Sequence, residues 1–313
     1  MRERAKPFYV VFAIVAALVI PAAIALRTVV HPVFLQPTSD NPTPLGYTWS
    51  LLLFVIPIAA LGWWFACRPD LQFPRKAFWR TIAVLTPLGF LLDLLFGNIF
   101  FIFPNKAATL GYEIPAVGGS IPIEEFIFYL TGFMLVLLTY IWCDEYWMAA
   151  YNVPDYTAAA KGIPRIVRFH FASVVLGVAL IAAAFLYRKF LSGVAEGFPW
   201  YFVYLVCASL IPSAGFFHTA QPFVNWRAFS FTFFLLLLIS LLWEVTLALP
   251  YGWWEYRTGI LMGLHIGAWS GLPIEAVCVW FAVSFTAIIT YEVIKIWKAL
   301  GTRALEAFFG IRK

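Results

Sequence analysis

Four acidic residues recur as two pairs at one spacing. Asp93 precedes Glu124 by 31 residues, Glu244 precedes Glu275 by 31, and an offset of 151 carries the first pair onto the second. Each glutamate closes a Pro-Ile-Glu sequence, Pro122-Ile123-Glu124 and Pro273-Ile274-Glu275. Carboxyl groups in apolar surroundings suit proton transfer: burial favours the neutral acid, nearby donors favour the carboxylate, and two groups of one type then serve as donor and acceptor. Asp93 is the only charge between Arg80 and Lys106, and Glu244 the only one between Arg227 and Glu255. An ionised group at the centre of a membrane helix costs about 2.5–3.5 kcal/mol on insertion scales, which makes such acids functional candidates. The bland alternative is a hydrogen bond across a helix interface, and duplication copies structural residues too. The copies differ at one point, since Glu125 has Ala276 as its counterpart.

The elements that position these acids are membrane helices. Hydrophobic residues make up 63% of the chain and charged residues 12%, and the mean hydropathy is +0.86, beyond what a soluble domain hides. Runs of about 20 apolar residues place eight spans near 8–26, 46–66, 81–103, 121–143, 169–187, 199–217, 228–250 and 272–294, an all-α polytopic membrane protein. The first run is too long for a signal segment and reads as retained. The 151-residue offset also carries the second span onto the sixth and, roughly, the first onto the fifth. The chain thus reads as two four-helix repeats, 1–150 and 151–294, with a basic amphipathic tail over 295–313. That tail lies along the inner membrane surface or extends the last helix. An even number of spans gives both repeats the same orientation, with a pseudo-twofold axis along the membrane normal.

Of the 21 Lys and Arg residues, 16 fall at the two ends and in the loops near 68–80, 144–168 and 218–227. This bias predicts a multi-pass protein of the cell membrane with both termini cytoplasmic and all four repeated acids toward the outer half of the bilayer. The net charge of +5 is then a topology signal, with no nucleic-acid patch implied. Cys67, Cys143, Cys207 and Cys278 form no CxxC pair and read as small core residues. His31, His170, His218 and His265 are scattered, so no metal site is expected. Pro122 and Pro273 suit the first turn of a helix, where a missing N–H loses no bond, which places Glu124 and Glu275 in that turn. The helix dipole favours the carboxylate there while burial favours the acid.

Aromatic residues are the second signal: 32 Phe, 14 Tyr and 14 Trp make 19% of the chain. An interfacial belt accounts for many of them. Those near the acids, Phe128, Tyr129, Trp243, Trp254 and Trp280, also suit a substrate pocket whose ring faces attract a carbocation.

The segment Ile121 to Tyr129, IPIEEFIFY, with Asp93 on the preceding span, resembles the lycopene cyclase domain of the membrane-embedded carotenoid cyclases. The second copy adds Leu241-Leu242-Trp243-Glu244, Gly252-Trp253-Trp254-Glu255-Tyr256 and Leu272-Pro273-Ile274-Glu275. The family pattern is an acid late in one span, an aromatic-Gly loop and a P-x-E motif opening the next. The resemblance covers about 80–145 and 230–295, and it makes this chain a divergent member with two fused copies. It implies proton-initiated, non-redox ring closure at the end of a linear polyene such as lycopene, an isomerase-type reaction without cofactor. On that reading Glu124 and Glu275 are the principal acid and base, and Asp93, Glu244 and Glu125 tune them or share their protons. Partners implied are a lipophilic polyene or isoprenoid substrate, the lipid bilayer and other carotenoid-pathway membrane enzymes.

Three other readings fit some of the residues. A proton-coupled transporter also combines duplicated halves with intramembrane acids, but Pro57 and Pro87 are not repeated at Ala208 and Leu238. Glu124-Glu125 is similar to the paired Glu of CAAX-processing-type peptidases, although Tyr129 stands where those have Arg. A carotenoid-binding protein without catalysis is the third.

Overall fold

The computed structural model describes residues 41–70, 73–193, 197–269 and 271–311, together with Ala16 and Ile20. Among the described residues seven helices are long and apolar enough to cross a membrane. In chain order, α1 spans Gly46–Ala66 and α2 Arg75–Phe100. Next comes α3, Ile123–Trp142, which runs on as a π-helical segment, Cys143–Trp147. A short α4, Tyr156–Lys161, leads to α5, Phe171–Phe190, and α6, Trp200–Ala220. Helix α7, Trp226–Ser240, continues as a π-helical segment, Leu241–Ala248. Helix α8 covers Ile274–Leu300, and a short α9 covers Ala304–Phe309. The seven long helices match the spans predicted from 46–66 onward within a few residues at each end. The span predicted near 8–26 falls almost wholly outside the described residues. The protein is a membrane-embedded, all-α chain.

Burial, not apolar content, marks the central helices. Buried residues make up 67% of the most apolar window of α3 and 61% of that of α8, against 17% for α5. The remaining helices surround α3 and α8 and turn large apolar side chains outward, such as Trp63, Leu91, Val178 and Ile211, as lipid solvation allows. Cys67 and Cys207 are among the outward groups, a correction to their reading as core residues. Cys143 is buried, and all four cysteines are free.

Three short strand pairs cap the end of the bundle that carries the repeated acids. β1 (Phe101–Ile102) pairs antiparallel with β4 (Glu255–Tyr256) and so joins the loop after α2 to the loop after α7. β2 (Glu113–Ala116) pairs with β3 (Gly119–Pro122), and β5 (His265–Ile266) with β6 (Leu272–Pro273). Both hairpins run directly into a helix: Ile123 N–H donates to Tyr112 O at 2.9 Å and Ile274 N–H to Leu264 O at 3.0 Å. Pro122 and Pro273 therefore close a strand with ψ of 145° and cap the helix from the residue just before its first turn. The glutamates remain in the first turn.

Side chains tie this lid across the chain. Asn105 Nδ2 donates to Tyr251 O (2.9 Å) and to Asn41 Oδ1 (3.0 Å), while Asn105 N–H donates to Gly252 O at 3.1 Å. Trp253 Nε1 donates to Thr43 Oγ1 at 2.9 Å. We expect Asn105→Ala, which removes both side-chain bonds, to cost about 1–3 kcal/mol and to lower the thermal midpoint of the detergent-solubilised protein.

The tail begins as a helical extension of the last span. Helix α8 continues six residues past 294, so Lys295 is an inward-facing part of the last span and not of a tail. Gly301, at φ +67°, ends that helix in the left-handed region that glycine tolerates best. Beyond it α9 docks on the loop before α5, with Ile166 N–H on Ala307 O (2.9 Å) and Val167 N–H on Phe308 O (3.0 Å).

Candidate functional site

All five acids singled out in the sequence lie at one end of the bundle, under the lid. Asp93 sits seven residues before the end of α2, about 10 Å deep, and Glu124 and Glu125 open α3. Glu244 lies in the π-helical end of α7, and Glu275 opens α8. The charges of Asp93, Glu124 and Glu244 all reach Glu125, and those of Glu244 and Glu275 both reach Tyr201 and Tyr256.

Their hydrogen bonding sorts them. Glu244 is saturated: Ser240 Oγ (2.7 Å) and Trp280 Nε1 (3.2 Å) donate to Oε1, and Tyr256 Oη (2.5 Å) donates to Oε2. Burial, with the Glu244 charge beside it, raises the Tyr256 phenol well above its ordinary value, so Tyr256 stays a donor. Asp93, Glu124 and Glu275 differ, because each buries one carboxyl oxygen without a hydrogen-bond partner. Glu124 Oε1 takes bonds from Leu110 N–H (2.7 Å) and Thr48 Oγ1 (2.5 Å), leaving Oε2 bare. Glu275 Oε1 takes one from Met262 N–H (2.5 Å), leaving its Oε2 bare. Glu125 Oε1 accepts from Tyr47 Oη at 2.5 Å.

Local sequence explains why Asp93 lacks the partners that its counterpart Glu244 has. The offset of 151 sets Gly89 in the place of Ser240, Tyr129 in that of Trp280 and Asn105 in that of Tyr256. Gly89 has no hydroxyl, and Asn105 is engaged in the lid. Gly97 keeps the space beside Asp93 open, since a Cβ there meets Oδ1 at 2.6 Å and Ile121 Cδ1 at 2.7 Å.

The tryptophans divide into two groups. Trp49, Trp63, Trp79, Trp147 and Trp200 point outward, where a membrane belt is their ordinary role. Trp243, Trp254 and Trp280 are buried with Tyr47, Phe54 and Phe128. In this group ring centroids lie 4.6 Å apart for Trp243–Trp254, 4.8 Å for Phe128–Trp243 and 5.7 Å for Phe128–Trp280. Tyr129 packs edge-on against Phe128, with ring centroids 5.9 Å apart, and also meets Gly89 and Phe133. The acids meet this cluster at three points: Tyr47 bonds Glu125, Trp280 bonds Glu244, and Phe128 lies one turn from Glu124 on the same helix face.

No family model, no curated protein and no solved structure matches this chain. Its site is read from its own geometry.

Sequence reasoning missed Tyr47, Thr48, Ser240 and Arg188, and it named Tyr256 only among the aromatic residues near the acids. Ser240 is legible as the i−4 neighbour of Glu244, whereas Tyr47 and Thr48 stand 78 and 76 residues from the carboxylates they bond. Arg188 is 2% exposed. Its guanidinium donates to Leu261 O and to Gly259 O (3.0 Å), and so fixes the loop whose Met262 N–H holds Glu275. The Arg188 charge also acts on Glu275.

Proposed function

We propose that this protein is two fused four-helix repeats with cytoplasmic termini and that it closes the end of a linear polyene by proton-initiated, non-redox cyclisation. This is the reaction implied by the resemblance to the membrane-embedded carotenoid cyclases. In that reaction a carboxylic acid adds a proton to the terminal double bond, and a ring carbon–carbon bond forms from the resulting cation. A carboxylate then removes a ring proton, so atoms and charge balance without an oxidant or reductant. Carboxyls grouped closely in dry surroundings do not all ionise, and their protons belong to the group, not to single residues.

One observation carries this reading. Three acids with a bare buried oxygen lie in the same capped end as the aromatic cluster, beside a fourth acid saturated with donors. Glu124 and Glu275 supply donor and base, Asp93 and Glu125 share protons with Glu124, and Glu244 is the fixed anion facing the developing cation. Trp243, Trp254, Trp280 and Phe128 offer ring faces to that cation. Expression in a lycopene-accumulating bacterial host tests the proposal: new cyclic end groups among the pigments support it, and unaltered lycopene at normal protein level overturns it.

A proton-coupled carrier is the second reading, favoured by a further buried charged cluster at the other end of α3 and α8. Counterflow of a labelled solute in proteoliposomes, with no pigment change in the host, would favour it.

A further inference from the structure

The polar groups at the far ends of α3 and α8 take no part in the chemistry above. Lys295 Nζ, on a side chain 11% exposed, lies 3.4 Å from Glu292 Oε1, 3.7 Å from Asp144 Oδ2 and 3.9 Å from Glu145 Oε1. Glu292 is fully buried and well supplied, with Tyr140 Oη donating to Oε1 (3.0 Å) and Tyr156 Oη to Oε2 (2.9 Å). Asp144 is the opposite case: it is 1% exposed, and neither of its oxygens accepts a hydrogen bond. The neighbouring Asn225 amide donates to Met148 O at 3.1 Å and acts on the Asp144 carboxyl only as the weakest of its surroundings. Tyr140 spends its lone pair on Asn225 N–H, at 3.0 Å.

Counting charge around Asp144 leaves an imbalance. Three carboxyl groups face one ammonium, and the other groups nearby are Cys143, Tyr140, Tyr156 and Tyr291, all neutral as donors. The Tyr156 and Tyr291 rings take the Lys295 charge at 4.4 and 5.3 Å from their centroids. Arg227 of α7 does not contribute, because its guanidinium lies 3.7 Å over the Tyr151 ring. A buried ion without compensation costs several kcal/mol, and taking up a proton removes that cost. Glu292 has its donors as a carboxylate and Glu145 is partly exposed at 22%, which leaves Asp144 as the group to be neutralised.

We infer that Asp144, Glu145, Glu292 and Lys295 form a second proton-binding site, with the exchangeable proton on Asp144. It is separate from the acids under the lid. Glu124 and Asp144 are twenty residues apart along one helix, about 30 Å, so the two sites lie at opposite ends of the bundle. It is also single, not one of a pair: the 151-residue offset superposes Asp144 on Lys295 and Tyr140 on Tyr291, whose rings lie 6.1 Å apart. The first half of the chain supplies Asp144 and Glu145, and the second supplies Glu292 and Lys295.

Infrared spectroscopy of the purified full-length protein in lipid, carrying 13C-labelled aspartate, tests this without perturbing the site. At neutral pH a protonated-carboxyl C=O band shifted by the label is expected, and it should persist in Asp93→Asn protein and vanish when Asp144→Asn is added to that variant. Removing the ammonium with Lys295→Gln should add one more protonated carboxyl. If no labelled acid band survives Asp93→Asn, or if Lys295→Gln adds none in protein of unchanged helicity, the inference is overturned. Because no substrate is used, the outcome does not depend on the proposed cyclisation.

Discussion

Glu124→Gln is expected to lower ring formation at least about 100-fold in a lycopene-accumulating host, the usual scale for loss of one positioned acid or base. Glutamine keeps an acceptor for Leu110 N–H and Thr48 Oγ1, so helix α3 and the lid should hold and protein level should not change. What the amide lacks is a proton to give. The ratio of cyclic to linear pigment, normalised to membrane-extracted protein, reads the effect directly. Glu275→Gln should also lower the ratio, because that carboxyl keeps one buried oxygen free to accept a proton. An unchanged ratio in both variants would remove the two glutamates from the reaction.

The second large effect concerns stability. Glu244→Leu strands the Ser240 hydroxyl, the Trp280 indole and the Tyr256 phenol, three donors inside the protein. Each unsatisfied donor costs about 1–3 kcal/mol, so a loss of at least about 3 kcal/mol is expected, read as a lower thermal midpoint in detergent. Glu244→Gln retains a carbonyl acceptor and should lose clearly less. The pH dependence follows from Tyr256. Its folded phenol holds the proton more tightly than the unfolded one, so the contribution is fully present below about pH 10, the unfolded value. It fades only as pH rises through the higher folded value. A stability curve in which the Glu244→Leu deficit stays constant from pH 6 to 9 is the expected result.

Much of the fold was legible because lipid imposes a simple rule: every span must be a helix of about 20 apolar residues. That rule located α1, α2, α3, α5, α6, α7 and α8, and the repeated spacing brought Asp93, Glu124, Glu244 and Glu275 to one end. Partners across long sequence distances were not legible. Nothing local links Tyr47 to Glu125 or Trp243 Nε1 to Ser50 Oγ (2.7 Å), since those bonds depend on how α1 packs against the start of α3 and the end of α7. The aromatic residues gave composition but not direction, and only packing separates Trp243 from Trp63. The cluster around Lys295 was hidden for another reason: ending the last span at 294 placed its central cation outside the membrane helices. Glu292 and Lys295, three residues apart within an apolar run, were the available signal.

Both π-helical segments carry an acid of one of the two clusters: Glu244 lies in Leu241–Ala248, and Asp144 in Cys143–Trp147. A π turn is in effect one residue too many for the α-helix around it, and Leu249 N–H reaching back to Glu244 O (3.0 Å) is its signature. Side chains beyond such an insertion are rotated by about 100° from where uninterrupted 3.6-residue periodicity would aim them. The amphipathic phase of α7 and of α3 therefore resets at the acid itself. A chain shortened by one residue at either place would keep its hydropathy, length and number of helices, yet point a different side chain into the interior. In this protein the address of each buried charge is written in phase as well as in composition.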